Sequence, residues 1–219
     1  MTPLFLIGNW KSNMTLVAMN EWFSLYTPSP NLTIVLCVPF TLLSSVKNVI
    51  LEKQLDVAIG AQDVSPFGSG PYTGEISAEM IKEFASYVLV GHSERRQYFN
   101  ESAEELAFQS LQAKSAGLTV IYCTGDEQET IPQSVDIVAY EPIEAIGTGI
   151  PEKPDAIQTV CTAFRKTSGK PVIYGGSVTE ETIMDILHTK SVDGLLVGGS
   201  SLDPVKFSAI GRICSSVFL

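Results

Sequence analysis

Eight short apolar runs rich in strand-forming residues, near 4–9, 33–38, 56–61, 87–91, 118–123, 135–140, 171–175 and 193–198, alternate with longer amphipathic stretches along the chain. That alternation predicts consecutive βα units around a parallel sheet. Periodicity alone fits either a closed barrel or a doubly wound open sheet. A count of eight favours the closed (β/α)8 barrel, and 219 residues suit one such α/β domain spanning 1–219.

Helix starts are identifiable between the runs. Ser102 to Glu105 forms a capping box, in which serine oxygen and glutamate each satisfy an orphan amide. Asp203-Pro204 supplies an acceptor at the cap and a fixed φ at the first helical position. The spacing predicts a helix over 103–116 with Leu106, Ser110, Leu111 and Lys114 on one stripe, and another over 77–86 that buries Ile76, Met80, Ile81 and Phe84. The fifth unit is the exception. Only Asp126 to Ser134 separates the fifth and sixth runs, and Pro132 would break a helix there. A parallel crossover normally takes ~10–12 residues or more, so the fifth helix is expected to shrink to about a turn.

In a barrel the chemistry belongs in the loops after the strand C-termini, and the polar residues of interest fall there. Lys11 follows the first run, His92 the fourth and Glu141 the sixth. An ammonium at a strand end can face an anion. A histidine beside backbone amides is held as the neutral imidazole. A carboxylate between an apolar strand and Pro142 sits on a stiff support, in surroundings that can raise its proton affinity toward that of a useful base. Each taken alone has a plainer alternative: a solvated lysine, a structural histidine, an ion-pair carboxylate. His188, near a helix end, reads as a surface residue. The glycine-bearing stretch from Pro142 to Pro151 suits a lid. Gly175-Gly176-Ser177 and Gly198-Gly199-Ser200 follow the seventh and eighth runs, where backbone amides can approach a phosphate.

Composition closes off other classes. The net charge is −10 and the 14 Lys and Arg residues form no basic run, which speaks against a nucleic-acid partner. Four scattered cysteines lack C-x-x-C spacing, so buried reduced thiols are expected, with no metal site. The apolar run Leu4 to Ile7 is far shorter than a signal or membrane segment, and the chain is expected to be cytoplasmic, with no membrane partner.

Five segments, Asn9-Trp10-Lys11, Gly91-His92-Ser93-Glu94-Arg95-Arg96, Tyr140-Glu141-Pro142 with Ala145 to Gly149, Tyr174-Gly175-Gly176-Ser177-Val178 and Asp193 to Gly199, occur in an order that closely resembles the signature segments of the triosephosphate isomerase family. The resemblance implies a TIM barrel that interconverts dihydroxyacetone phosphate and glyceraldehyde 3-phosphate without a cofactor. It implies Glu141 as the base, His92 as the neutral acid, Lys11 as the oxyanion and phosphate partner with Asn9 positioning it, and Glu94 as a supporting carboxylate. Gly147, Ser177, Gly198 and Gly199 would cradle phosphate. The loop 63–76 resembles the family's interdigitating loop, whose threonine, here Thr73, would reach a neighbouring subunit's site, so a homodimer is expected. The chain departs from the family's pattern at Pro142-Ile143-Glu144 and Ile150-Pro151-Glu152, at the two ends of the lid, and at Cys123-Thr124-Gly125-Asp126. The expectation at Glu144 is that it stays solvated. Another phosphosugar barrel enzyme and a non-catalytic phosphate-binding scaffold are the rival readings.

Overall fold

The computed structural model describes residues 4–142, 145 and 150–217. The eight strands are β1 (Leu4–Asn9), β2 (Leu32–Val38), β3 (Ala58–Ala61), β4 (Tyr87–Val90), β5 (Thr119–Thr124), β6 (Ile137–Tyr140), β7 (Val172–Tyr174) and β8 (Gly194–Val197). All neighbours pair in parallel in sequence order, and β1 against β8, with Leu6 opposite Leu195, closes the barrel.

Alternation along each strand builds two cores. Ile7, Val35, Cys37, Leu89, Ile121, Cys123, Ala139, Ile173 and Leu196 form one buried cluster drawn from strand residues of one parity, which fills the barrel. Their neighbours of opposite parity, among them Leu6, Leu36, Val88, Val120, Val138 and Leu195, join a second cluster that also contains the inward faces of the helices. A strand buried on both faces has no polar side, which is why these runs read as continuously apolar. All four cysteines are free and buried.

The helices are α1 (Leu16–Leu25), α2 (Leu43–Lys53), α3 (Ala78–Lys82), α4 (Ser93–Phe99), α5 (Ala103–Ser115), α6 (Pro154–Ser168), α7 (Ile183–His188) and α8 (Pro204–Val217). The capping box at Ser102 and Glu105 is present. Two helix faces differ from expectation. Met80 is half exposed, because α3 ends at Lys82 after five residues and leaves only Ala78 and Ile81 buried. Leu111 is exposed as well, whereas α5 buries Leu106, Gln109, Ser110 and Ala113. Gln109 earns its place inside by donating to Asp63 and Glu101, both at 3.2 Å. Residues 125–136, between β5 and β6, carry turns and bends and no helix. His188 ends α7 and is exposed.

Candidate active site

The mouth of the barrel is organised first by aromatic packing. Trp10, just past β1, is fully buried against Trp22 and Phe23 of α1, with ring centroids 5.3 and 6.1 Å away. Trp22 Nε1 donates to the Ser201 carbonyl at 2.9 Å, in the single 3-10 turn that follows β8. The Ser201 hydroxyl in turn reaches the Asn9 carbonyl at 3.3 Å. The ends of β1 and β8 are therefore tied together, and with them Lys11 and the Gly198-Gly199 pair.

Lys11 takes φ +52, a left-handed conformation uncommon for a residue with a side chain. Its amide donates to Asn9 Oδ1 at 2.9 Å, and its carbonyl accepts from Gln62 Nε2 at 3.0 Å, so neighbouring side chains hold this backbone in place. The ammonium donates to Glu94 Oε1 at 2.6 Å. Its stem passes close to the β8 loop: a side-chain carbon on Gly198 would stand 3.3 Å from Lys11 Cε, which is why glycine suits that position.

His92 caps the N-terminus of α4. Its Nδ1 accepts the Glu94 amide at 3.3 Å, which assigns the single proton of the neutral ring to Nε2. That nitrogen lies 3.2 Å from Glu141 Oε1, while Glu141 Oε2 accepts the Ser93 amide at 3.1 Å. Burial pushes the Glu141 carboxyl up, but His92, the Ser93 amide and Lys11 outweigh it and hold the group below the usual carboxylate range. For His92, burial pulls the imidazole down, yet Glu141 at Nε2 raises it above its ordinary value in this arrangement. The expected base-strengthening surroundings of Glu141 are thus not those of the resting site.

Asn9, Lys11, His92, Glu141, Ser177, Gly198 and Gly199 all line one cavity of about 180 Å³ at the C-terminal ends of the strands. Ser177, at φ +46, donates its hydroxyl to the Ala145 carbonyl, and Ser200 Oγ donates to the Val178 carbonyl at 3.2 Å, tying the β7 and β8 loops together. Glu94 lines only the adjoining groove. Thr73 is exposed and lines neither space. Gly147 and Glu144 lie outside the described residues. Sequence reasoning missed Gln62 and the role of the Ser93 amide. The position of Gln62, directly after the third apolar run, was the available signal. No group of acidic, histidine and cysteine side chains among the described residues has a metal-binding arrangement.

A parallel barrel that gathers its polar groups at the C-terminal mouth around a small cavity is built as an enzyme for a small ligand, and an imidazole and a carboxylate 3.2 Å apart there are groups that can exchange protons. The family model described as triosephosphate isomerase matches residues 4–214. The chain belongs to the triosephosphate isomerase family. It is 37% identical to the triosephosphate isomerase of Synechococcus sp. (strain RCC307), over 96% of this chain and 94% of the relative. It is 35% identical to that of Corynebacterium diphtheriae, over 99% and 98%. The crystal structure of triosephosphate isomerase from Bartonella henselae superposes with a TM-score of 0.82 at 28% identity, covering 96% of this chain and 98% of that one.

Proposed function

We infer that the chain interconverts dihydroxyacetone phosphate and glyceraldehyde 3-phosphate by proton transfer through an enediolate, with Glu141 as base and His92 as acid. The observation that carries this reading is the direct pairing of Glu141 Oε1 with His92 Nε2 at 3.2 Å inside a cavity that Lys11 also lines. In the resting site, acid and base occupy each other. When a substrate enters, the carboxylate turns from the Ser93 amide toward the carbon-bound proton, and the freed Nε2–H faces the substrate oxygen. Lys11, positioned through Asn9, stabilises the negative charge that develops there. Amides of Ser177, Gly198 and Gly199, with Gly147 from the lid, hold the phosphate, and closing the lid excludes water that would promote loss of phosphate. A coupled assay with glyceraldehyde 3-phosphate tests the reading; turnover only with larger phosphosugars, or none at all, would refute it.

This pairing also sets the pH dependence. In the free enzyme Glu141 is held low, so its limb in kcat/KM lies below the usual carboxylate range. With substrate bound it loses His92 and Ser93 as partners and stays buried, so the acid limb of kcat is expected at higher pH than that of kcat/KM. The comparison is made after correcting for the phosphate's own ionisation near pH ~6. Coincident limbs would mean that the carboxylate keeps its resting partners during turnover.

The reading extends to assembly and architecture. The loop 63–76 is closed at its base by the Ser65 amide on the Ile76 carbonyl at 3.0 Å, and it carries Phe67 stacked on Tyr72, both substantially exposed. Beside Lys11 and His92 runs an open groove of about 720 Å³ lined by Met14, Phe40, Gln62, Arg95 and Phe99. Insertion of this loop from a second copy, bringing Thr73 toward the site, would fill the groove and make a homodimer. Sedimentation is expected to give a dimer for the parent chain, and Thr73→Arg a larger monomer fraction with lower turnover. A fully active monomer would rule this assembly out. The twelve residues 125–136 between β5 and β6 carry no helix, which supports a shortened fifth βα unit in a single barrel domain. Four free buried thiols support a cytoplasmic setting, and among the described residues no helix is long and apolar enough to cross a membrane.

A further inference from the structure

The helix-free segment between β5 and β6 sends one side chain back toward the site. Glu129 Oε1 accepts from the Tyr122 hydroxyl at 2.7 Å and from Arg96 Nη1 at 3.0 Å. Arg96 lies over the Tyr122 ring, 5.3 Å from its centroid, and its two other nitrogens are committed as well. Nη2 donates to the Cys123 carbonyl at 2.8 Å, and Nε to the Gly91 carbonyl at 2.7 Å. All three guanidinium nitrogens therefore have acceptors, and the planar fork has one orientation.

The residue that Arg96 grips immediately precedes His92. Gly91 sits at φ +70, and a side-chain carbon there would lie 2.9 Å from Arg96 Nη2, so glycine is required for the guanidinium to approach. On the other side, the Arg95 and Arg96 amides take the His92 carbonyl at 2.8 and 3.2 Å. The peptide units flanking His92 are thus held by α4 and by the Arg96 side chain, and the orientation of the imidazole follows from them.

We propose that Glu129 is a positioning residue for His92, acting through Arg96 and the Gly91 carbonyl, so that the short β5–β6 connection contributes a catalytic support in addition to closing the barrel. The proposal rests on the reading of His92 as the acid. Removing Glu129 leaves Arg96 Nη1 without its acceptor and the Tyr122 hydroxyl without its partner. The fork then gains freedom to rotate, and the imidazole loses definition relative to the substrate oxygen. Small misplacements of a proton donor cost rate with little effect on binding.

The test is Glu129→Ala compared with Glu129→Gln, which keeps an acceptor oxygen, each in the parent and in a His92→Asn background. Glu129→Ala is expected to lower kcat roughly tenfold with KM within about twofold, and Glu129→Gln to restore most of the loss. In the His92→Asn background, Glu129→Ala is expected to lower kcat little further, because the group it positions is gone. The chain has two histidines, and the exposed His188 serves as an internal reference, so the His92 ring resonances are expected to shift in Glu129→Ala, and to return toward the parent's in Glu129→Gln, while those of His188 stay fixed. Unchanged kcat with a lowered melting temperature would overturn the proposal, as would a tenfold loss that persists beside His92→Asn. If Glu129→Ala fails to fold, Arg96→Lys, which gives up the fork on the Gly91 and Cys123 carbonyls, takes its place, and an unchanged kcat in that variant overturns the proposal. Undiminished turnover of His92→Asn alone would instead refute the assignment of His92 as the acid.

Discussion

Replacing Glu141 with glutamine is expected to lower kcat on glyceraldehyde 3-phosphate by roughly 10³-fold, at the scale of losing a general base, while the protein stays folded. Glutamine has nearly the same shape, and its carbonyl oxygen can still accept the Ser93 amide that Glu141 Oε2 accepts at 3.1 Å. It cannot take a proton from carbon. Glu141 is only 3% exposed, so removing its charge relieves desolvation at the same time as it removes the attraction of His92 and Lys11. These effects oppose each other, and the melting temperature is expected to move by no more than a few degrees. KM is expected to change far less than kcat, because the proposed phosphate contacts, Lys11 and the glycine segments, are untouched. Turnover within tenfold of the parent would show that another group takes the proton.

The strands were legible because burial on both faces leaves no polar positions to confuse an apolar run. β1 occupies 4–9 as expected, and the other seven differ from their runs by at most two residues at either end. Helix faces were less legible. The periodicity placed Leu111 inward and passed over Gln109, since an apolar stripe cannot anticipate a buried amide whose partners, Asp63 and Glu101, lie elsewhere in the chain. Lys11, His92 and Glu141 were readable as residues because each follows a strand end. Their resting arrangement was not. The expectation that Glu141 sits in base-strengthening surroundings considered its strand and Pro142, whereas the burial that raises its proton affinity is outweighed by His92, the Ser93 amide and Lys11, all distant in sequence. The Glu129 contact with Arg96 was hidden for the same reason: the sequence shows a helix missing between β5 and β6, but not where the side chains of the remaining residues go.

A second large effect is expected at Lys11. Lys11→Met is expected to lower kcat/KM for the triose phosphate by about 10²–10³-fold, or about 3–4 kcal/mol, as for loss of a group that stabilises transition-state charge in a desolvated site. The backbone is not the cause, since methionine at φ +52 meets the same strain and the same support from Asn9 and Gln62. What disappears is the one Lys or Arg among the described residues lining the cavity. Glu94 loses its partner, but its side chain is 39% exposed and water replaces the ammonium, so the cost to stability is small. Arginine is not expected to rescue activity fully, because its guanidinium is a broad planar fork and not the compact point charge of an ammonium. Two further readouts separate charge from shape. The salt dependence of kcat/KM should weaken in Lys11→Met, because a substrate dianion is no longer drawn to a fixed cation. The acid limb assigned to Glu141 should move to higher pH, because Lys11 is among the groups that hold that carboxyl low. A variant that loses activity while both readouts stay fixed would mean that Lys11 acts by filling space, and the electrostatic account of this cavity would fail with it.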